Sequence, residues 1–139
     1  MRQTQEVIEI STRGRGLVEI TSELAAFTRR SGFQTGLLSV FCRHTSASLL
    51  IQENAGPSVR ADLEAFFARL APEAPGRYIH EDEGPDDMPA HIRAALTQTS
   101  LAVPITDGEL ALGTWQGVYV FEHRRAPHAR ELVLHALGE

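Results

Sequence analysis

Six histidines are the residues of this sequence best suited to binding a metal ion or moving protons: His44, His80, His91, His123, His128 and His135. Five of them lie in polar stretches. His135 instead lies in ELVLHAL, where it alternates with apolar residues, and this pattern predicts a plain strand residue. The chemistry must therefore be sought around the other five.

The stretch FCRHTSASLLIQEN, residues 41–54, begins and ends as an apolar strand but has a polar middle. Because strand side chains alternate, His44 is expected to share a face with Ser46. A buried polar group without a partner costs about 1–3 kcal/mol, so several in one strand favour a binding site. Glu53 and Asn54, which end the stretch, are further candidates. For His44 alone, the alternative is a core histidine bonded to a neighbouring hydroxyl.

The second polar stretch, RYIHEDEGPDDMPAHI, spans residues 77–92 and contains two more histidines. Asp87 and His91 are four residues apart on a predicted helix and should share a face. A carboxylate beside an imidazole can orient the ring and fix its tautomer. His80 and His91 match no zinc template such as HExxH. A solvated acidic loop with incidental histidines is the alternative to a metal site here.

The third stretch, GTWQGVYVFEHR, spans residues 113–124 and is a glycine-flanked strand. Thr114 and Gln116 would share a strand face and could hydrogen-bond a ligand. The alternative is a bulged strand with a packed tryptophan. Three arginines, whose planar guanidinium matches a phosphate, could clamp one, although surface arginines are usually only solvated; they are Arg124, Arg125 and Arg130.

Composition excludes several function classes. All 13 basic residues are arginine, so a lysine Schiff base, a pyridoxal phosphate anchor and a Walker lysine are ruled out. The net charge of −5 and the lack of a basic run argue against a nucleic-acid partner. The single cysteine, Cys42, permits no internal disulfide and is expected to be a buried, inert thiol. No apolar run approaches a membrane span, so we predict a cytoplasmic protein without a membrane partner.

The elements that position these residues are predicted to be three helices and a set of strands. Apolar spacing from Leu17 to Phe27 predicts a helix capped by Gly32, and a second helix begins at Pro57 and ends before Pro72. A third helix runs from residue 86 or 87 to about 98. Strands are predicted over residues 4–10, 35–43, 47–52, 100–106, 109–112, 115–124 and 130–137. Strands and helices do not alternate strictly, so residues 1–139 are expected to form one α+β domain with a mixed or antiparallel sheet layer packed by three helices.

Taken together, the three stretches resemble the YjbQ-like family, sometimes called secondary thiamine-phosphate synthases. The matching strings are HTSASLLIQEN, YIHEDEGPDDMPAHI and LGTWQGVYVFEHR, and the resemblance covers residues 14–138. A family glycine near the end of the third helix is Gln98 here. The resemblance implies a homotrimer and a histidine cluster, mapped onto His44, His80 and His91, near a subunit boundary. It also implies coupling of hydroxymethylpyrimidine diphosphate to a thiazole phosphate, with release of pyrophosphate.

The first functional hypothesis is therefore a small metabolic enzyme acting on a phosphorylated small molecule. A divalent metal, with zinc favoured by clustered imidazoles, would sit on the three histidines, and Mg²⁺ would accompany any diphosphate. Glu53 or Asp87 would orient ligands or shuttle protons, as a catalytic group does. The residues expected to bind the ligand are Ser46, Asn54, Thr114, Gln116 and Arg130.

Two alternatives remain open from the sequence. In one, the same pocket belongs to a non-catalytic trimeric module that binds a phosphorylated metabolite or a metal. In the other, the histidines only hold the trimer interface together.

Overall fold

Two antiparallel sheets and three helices form the chain, as a computed structural model of residues 1–139 describes it. The strands are β1 Arg2–Thr12, β2 Gly16–Glu19, β3 Thr35–Cys42, β4 Ala47–Glu53, β5 Ser100–Thr106, β6 Glu109–Leu110, β7 Gln116–Glu122 and β8 His128–Gly138. The helices are α1 Thr21–Ser31, α2 Pro57–Leu70 and α3 Asp87–Leu96. The predicted single α+β domain with three helices is confirmed, but its strands form two sheets instead of one layer.

The larger sheet has the strand order β1-β8-β3-β5-β6, and the smaller has the order β2-β7-β4. In the smaller sheet, Ala47 of β4 pairs with Glu122 of β7, and Glu53 pairs with Gln116 at the other end. Since a strand rises about 3.3 Å per residue, these two ends lie about 20 Å apart. This distance decides which polar residues can meet within one chain.

The apolar core lies between the two sheets. Along β3, Leu38 and Val40 point inward and are fully buried, whereas Leu37 and Phe41 point outward and are 40% and 49% exposed. The core continues through the other elements: Ile10, Leu24, Phe27, Leu49, Val118, Val120, Leu132 and Leu134. The outer face of the larger sheet is therefore partly apolar and carries no helix.

The end of α1 and the start of α2 follow the sequence closely. Gly32 caps α1 with a φ of 73°, which suits glycine, and Pro57 occupies the first turn of α2. The predicted tight turn between β5 and β6 forms at Asp107 and Gly108, both of which have positive φ.

None of the three helices combines the length and apolar character needed to cross a membrane.

The start of the first helix was predicted four residues too early. Leu17 and Val18 lie in β2, where they pair with Phe121 and Val120 of β7, and α1 begins at Thr21. Leu17 satisfies the helical spacing by coincidence, because in β2 it is half-buried and its neighbour Val18 is the residue that packs against the core. The backbone N–H of Ile20 still donates to the carbonyl of Val118 in β7, and the helix begins at the next residue.

Candidate metal centre

Four potential metal ligands converge where the long loop after α2 meets the start of α3. Nitrogen or oxygen atoms of His80, Glu83, Asp87 and His91 all lie within 4.8 Å of one another. The loop supplies His80 and Glu83, and α3 supplies Asp87 and His91. The structure thus brings together two members of the predicted histidine trio with an acidic partner.

Asp87 is the centre of this group. Its side chain is 2% exposed, and one oxygen, Oδ2, lies 2.8 Å from His80 Nε2 and 3.0 Å from His91 Nε2. The contact with His91 follows from the four-residue spacing on one helix face. One buried carboxylate oxygen therefore faces two imidazole nitrogens at once.

The contacts of His91 show which of its ring nitrogens carries the hydrogen. Its Nδ1 lies 2.9 Å from the carbonyl oxygen of Thr45, which can only accept a hydrogen bond, so Nδ1 carries the hydrogen. In a neutral ring, Nε2 then presents a lone pair to a carboxylate oxygen. Two acceptors at 3.0 Å repel each other unless a cation lies between them, either a proton or a metal ion.

Arg124 holds the carboxylates in place. Its Nη1 donates to Asp87 Oδ1 at 2.7 Å, its Nε donates to Asp86 Oδ2 at 3.1 Å, and its Nη2 donates to the carbonyl of Glu83 at 2.9 Å. The sequence suggested this arginine as one that could clamp a phosphate. The structure uses it to orient the acidic groups, a contact that spans 37 residues and that no local pattern signals.

Electrostatics at the centre favour a charged carboxylate beside a cation. The hydrogen bond to Asp87 raises the pKa of His80 above its ordinary value. Burial acts to raise the pKa of Asp87, but hydrogen bonds from His80 and the nearby charges of His91 and Arg124 outweigh it, so that the pKa is lowered. Asp86 behaves in the same way, with Arg124 and Arg125 overcoming burial.

His44 lies outside this group in the single chain. Its Nε2 accepts a hydrogen bond from the backbone N–H of Glu131 at 2.7 Å, which occupies one of its two ring nitrogens. Burial and the charge of Arg130 lower the pKa of His44. That the ring shares a metal ion with His80 and His91 stays a prediction.

Arg130 forms a buried ion pair beside His44. Arg130 is 4% exposed and Glu122 is fully buried, and Arg130 Nε donates to Glu122 Oε1 at 2.8 Å. Arg130 Nη2 also donates to the hydroxyl of Ser46 at 3.0 Å. Burial acts to raise the pKa of Glu122, but hydrogen bonds from Arg130 and Thr12 lower it overall.

A groove connects the His44 region to the metal centre. It has a volume of about 310 Å³ and is lined by His44, Thr45, His91, Ala94, Ala95 and Thr99. A larger cavity opens beside His44 and Arg130. A second cavity of about 320 Å³ adjoins the other edge of the centre, with His80, Tyr78 and Met88 in its wall.

His123, which was not among the predicted metal ligands, is buried. Its Nε2 lies 2.8 Å from the hydroxyl of Ser48, and its ring packs against Phe121 with 4.4 Å between ring centres. Burial and the charge of Arg93 lower its pKa to about 3. A core histidine bonded to a hydroxyl was the alternative weighed for His44, and it describes His123. His135 lies in β8 as predicted.

The remaining predicted ligand residues lie at the opposite end of the smaller sheet. Asn54 Nδ2 donates to Glu19 Oε2 at 3.4 Å, and Gln116 accepts from the N–H of Gly113 at 2.7 Å. Glu53 and Thr114 are their neighbours in sequence. Within one chain this end lies about 20 Å from Ala47, the β4 residue that pairs with Glu122. The tryptophan between them, Trp115, is 63% exposed instead of packed.

Comparison with known proteins decides the family. A model of the family described as UPF0047 protein YjbQ-like matches residues 6–139. The chain belongs to this family. A UPF0047 protein of Synechocystis is 56% identical over 138 residues, covering 99% of this chain and 94% of the relative. The YjbQ protein of Escherichia coli O157:H7 is 40% identical, with 97% and 98% covered.

Solved structures of YjbQ-like proteins share the fold. A conserved hypothetical protein of Thermus thermophilus is 34% identical, has a TM-score of 0.85 and is matched over 95% of this chain and 99% of its own. A YjbQ/UPF0047-family protein of Clostridium acetobutylicum is 31% identical, has a TM-score of 0.83 and is matched over 96% and 99%. The names of these relatives specify a family and no reaction, so function must be argued from the site.

Proposed function

We propose that this YjbQ-like protein is a small metabolic enzyme that acts on a phosphorylated small molecule at a divalent-metal centre formed by His80, Asp87 and His91. One observation carries the proposal: the lone pair of His91 Nε2 faces the Asp87 carboxylate at 3.0 Å. Either a proton or a metal ion satisfies these two acceptors, and because His80 Nε2 reaches the same oxygen at 2.8 Å, a metal ion shared by the three side chains is favoured.

The donor set fits zinc or a neighbouring transition metal. Two imidazoles and one carboxylate are the ligands of several catalytic zinc sites, which leave a further position open. When bound, such a metal supplies a Lewis acid that polarises a phosphate oxygen or a water molecule. Mg²⁺ prefers oxygen ligands and would arrive with a diphosphate substrate.

The side chains around the centre then have separate tasks. Asp87 and the two histidines would hold the cation, and Arg124 fixes the direction of Asp87. Glu83, whose side chain is 64% exposed and whose Oε2 lies 3.7 Å from His80 Nε2, can move a proton between the site and water. Thr45 fixes the His91 ring through its carbonyl oxygen.

We further propose that the functional unit is a homotrimer. The outer face of the larger sheet supports this, because Val7, Leu37, Phe41 and Leu137 are each at least 40% exposed there. Ligand-binding roles for Asn54, Thr114 and Gln116 would need a neighbouring copy, given their distance from the centre. Light scattering coupled to size exclusion should report three chains, and Phe41→Glu should yield monomers. A cytoplasmic location stays a prediction.

The experiment that tests the activity is a turnover assay on a panel of phosphate esters and diphosphates, including pyrimidine and thiazole phosphates. We expect one class of substrate to be converted by the metal-loaded protein, and conversion to be lost after chelation and in Asp87→Asn. Ligand-dependent thermal stabilisation without turnover for any compound would instead favour a binding module, the second hypothesis drawn from the sequence.

A further inference from the structure

His44 and Arg130 place two hydrogen-bond donors side by side with no acceptor between them. The N–H of Glu131 donates to His44 Nε2 at 2.7 Å, so this nitrogen carries a lone pair and Nδ1 of the neutral ring carries the hydrogen. His44 Nδ1 lies 3.5 Å from Arg130 Nη1, which can only donate. A direct hydrogen bond between these two atoms is therefore not possible.

The Arg130 guanidinium is held by its other contacts, so Nη1 cannot turn toward a different acceptor. Its Nε is bonded to Glu122, and its Nη2 is bonded to Glu122 and to both oxygens of Ser46. Arg130 is also 4% exposed. Nη1 is the remaining donor, and it is held in a fixed direction by the other contacts.

Both donors line a cavity of about 570 Å³, whose wall consists of Phe41, Cys42, Arg43, His44, Thr45, Ser46, Thr99 and Arg130. This volume lies within the range of about 300–1,000 Å³ that small-molecule sites occupy. The hydroxyl of Ser46 accepts from Arg130 and keeps its own hydrogen available to a ligand. Three donors thus converge on one cavity from two different parts of the chain.

We propose that this cavity binds a small oxyanion, a phosphate or carboxylate group, between His44 Nδ1–H and Arg130 Nη1. This assignment rests on the proposed function, in which the cavity holds an anionic group of the substrate. A metal ion is disfavoured at the same position because the guanidinium repels cations. Glu122 balances the charge of Arg130, so the site attracts its ligand through directed hydrogen bonds more than through net charge.

The test uses protein freed of metal by chelation, so that the neighbouring centre cannot contribute to anion binding. Inorganic phosphate and acetate are titrated separately by calorimetry, which distinguishes a phosphate ligand from a carboxylate ligand. Saturable binding of either one is expected. Nitrogen NMR of the His44 ring should show hydrogen on Nδ1 and a change in that signal as the anion binds.

Two substitutions of the same histidine provide matched variants. His44→Gln keeps an acceptor at the position of Nε2 and removes the Nδ1 donor, whereas His44→Asn keeps a donor near Nδ1. We expect the Gln variant to bind the anion at least about tenfold more weakly, as loss of a hydrogen bond to a charged group implies. The Asn variant should bind more tightly than the Gln variant, and His135→Gln should match the wild type.

Three results would overturn the proposal: no saturable binding of either anion, equal affinity in wild type and His44→Gln, or hydrogen on Nε2 of His44. None of these three results bears on the proposed metal centre, because metal content is measured independently and depends on His91. Conversely, loss of metal binding without loss of anion binding would reject the proposed function and keep this site.

Discussion

Two histidine environments lie within one small fold, and they differ in the charge of their neighbours. His80 and His91 face the carboxylate of Asp87, and the pKa of His80 is raised. His44 and His123 lie near the guanidinium groups of Arg130 and Arg93, and their pKa values are lowered. A carboxylate faces the first pair, whereas burial, together with the nearby guanidinium groups, keeps the second pair neutral. The comparison teaches that burial and partner charge, more than spacing in the sequence, decide the charge state that an imidazole favours.

The largest effect is expected from breaking the buried ion pair on the guanidinium side. Glu122→Gln leaves the charge of Arg130 buried without compensation, which should lower the free energy of unfolding by about 3–5 kcal/mol. Urea denaturation measures this. The matched control is Glu131→Gln, which removes an exposed pair with Arg43 at 3.4 Å and should cost at most about 1 kcal/mol. Equal costs for the two variants would show that Glu122 and Arg130 are solvated.

The next effect concerns pH and His123. The unfolded ring takes up a proton near its ordinary pKa of 6.5, while the folded ring resists until about pH 3. The unfolded state therefore binds more protons in this window, and stability falls as the pH decreases through it, by up to about 1.4 kcal/mol per pH unit. His123→Phe should remove this contribution.

Denaturation curves at several pH values between about 6.5 and 4.5 provide the measurement for His123. The loss of stability over this range should be smaller in the variant than in the wild type. Parallel pH profiles would mean that the imidazole is already charged or solvated in the fold. Ser48→Ala, which keeps the ring and removes its hydroxyl partner, is a control that should retain the pH dependence.

A smaller effect is expected on the carboxylate side, at Arg124. Arg124→Gln frees Asp87 Oδ1 and loosens the loop at Glu83, so the affinity for zinc should fall by about 10- to 100-fold, as for other residues that orient metal ligands. Competition with a chelating dye measures the affinity. Arg125→Gln, whose partner Glu73 lies away from the centre, should leave it unchanged. Unchanged affinity in Arg124→Gln would show that Asp87 needs no such support.

The smallest effect is expected from Glu83→Gln, which separates the roles of Glu83 and Asp87. Glu83 is largely exposed and Asp87 is buried, so Glu83→Gln should weaken zinc binding by less than about fivefold, the range of an exposed charge pair. A loss as large as that in Asp87→Asn would instead place Glu83 among the ligands.

Much of this fold follows from local pattern. The cap at Gly32, the proline in the first turn of α2, the turn at Asp107 and the alternation along β3 are each determined by residues close together in sequence. Leu17 led to the wrong start for the first helix, because a short strand next to a helix can mimic helical spacing. The division of the strands into two sheets depends on which strands pair across the whole chain, and apolar patterns do not encode that choice.

The candidate site shows the same division. The contact between Asp87 and His91 was predictable because one helix turn fixes it. Arg124 and Thr45 reach the centre from 37 and 46 residues away, so their roles as positioning groups appear only in three dimensions. His44 shares its residue type and polar setting with His91, yet its Nε2 accepts from the backbone N–H of Glu131, whereas Nε2 of His91 faces Asp87.

The central claim is that a metal ion bridges Asp87 and the two histidines, and metal content tests it most directly. Protein purified without chelators and without a histidine tag is analysed by mass spectrometry, as wild type, His91→Gln and the control His135→Gln. We predict one transition-metal ion per chain in the wild type and the control, and none in His91→Gln. A wild-type protein without metal after incubation with zinc, or full occupancy in His91→Gln, would contradict the account.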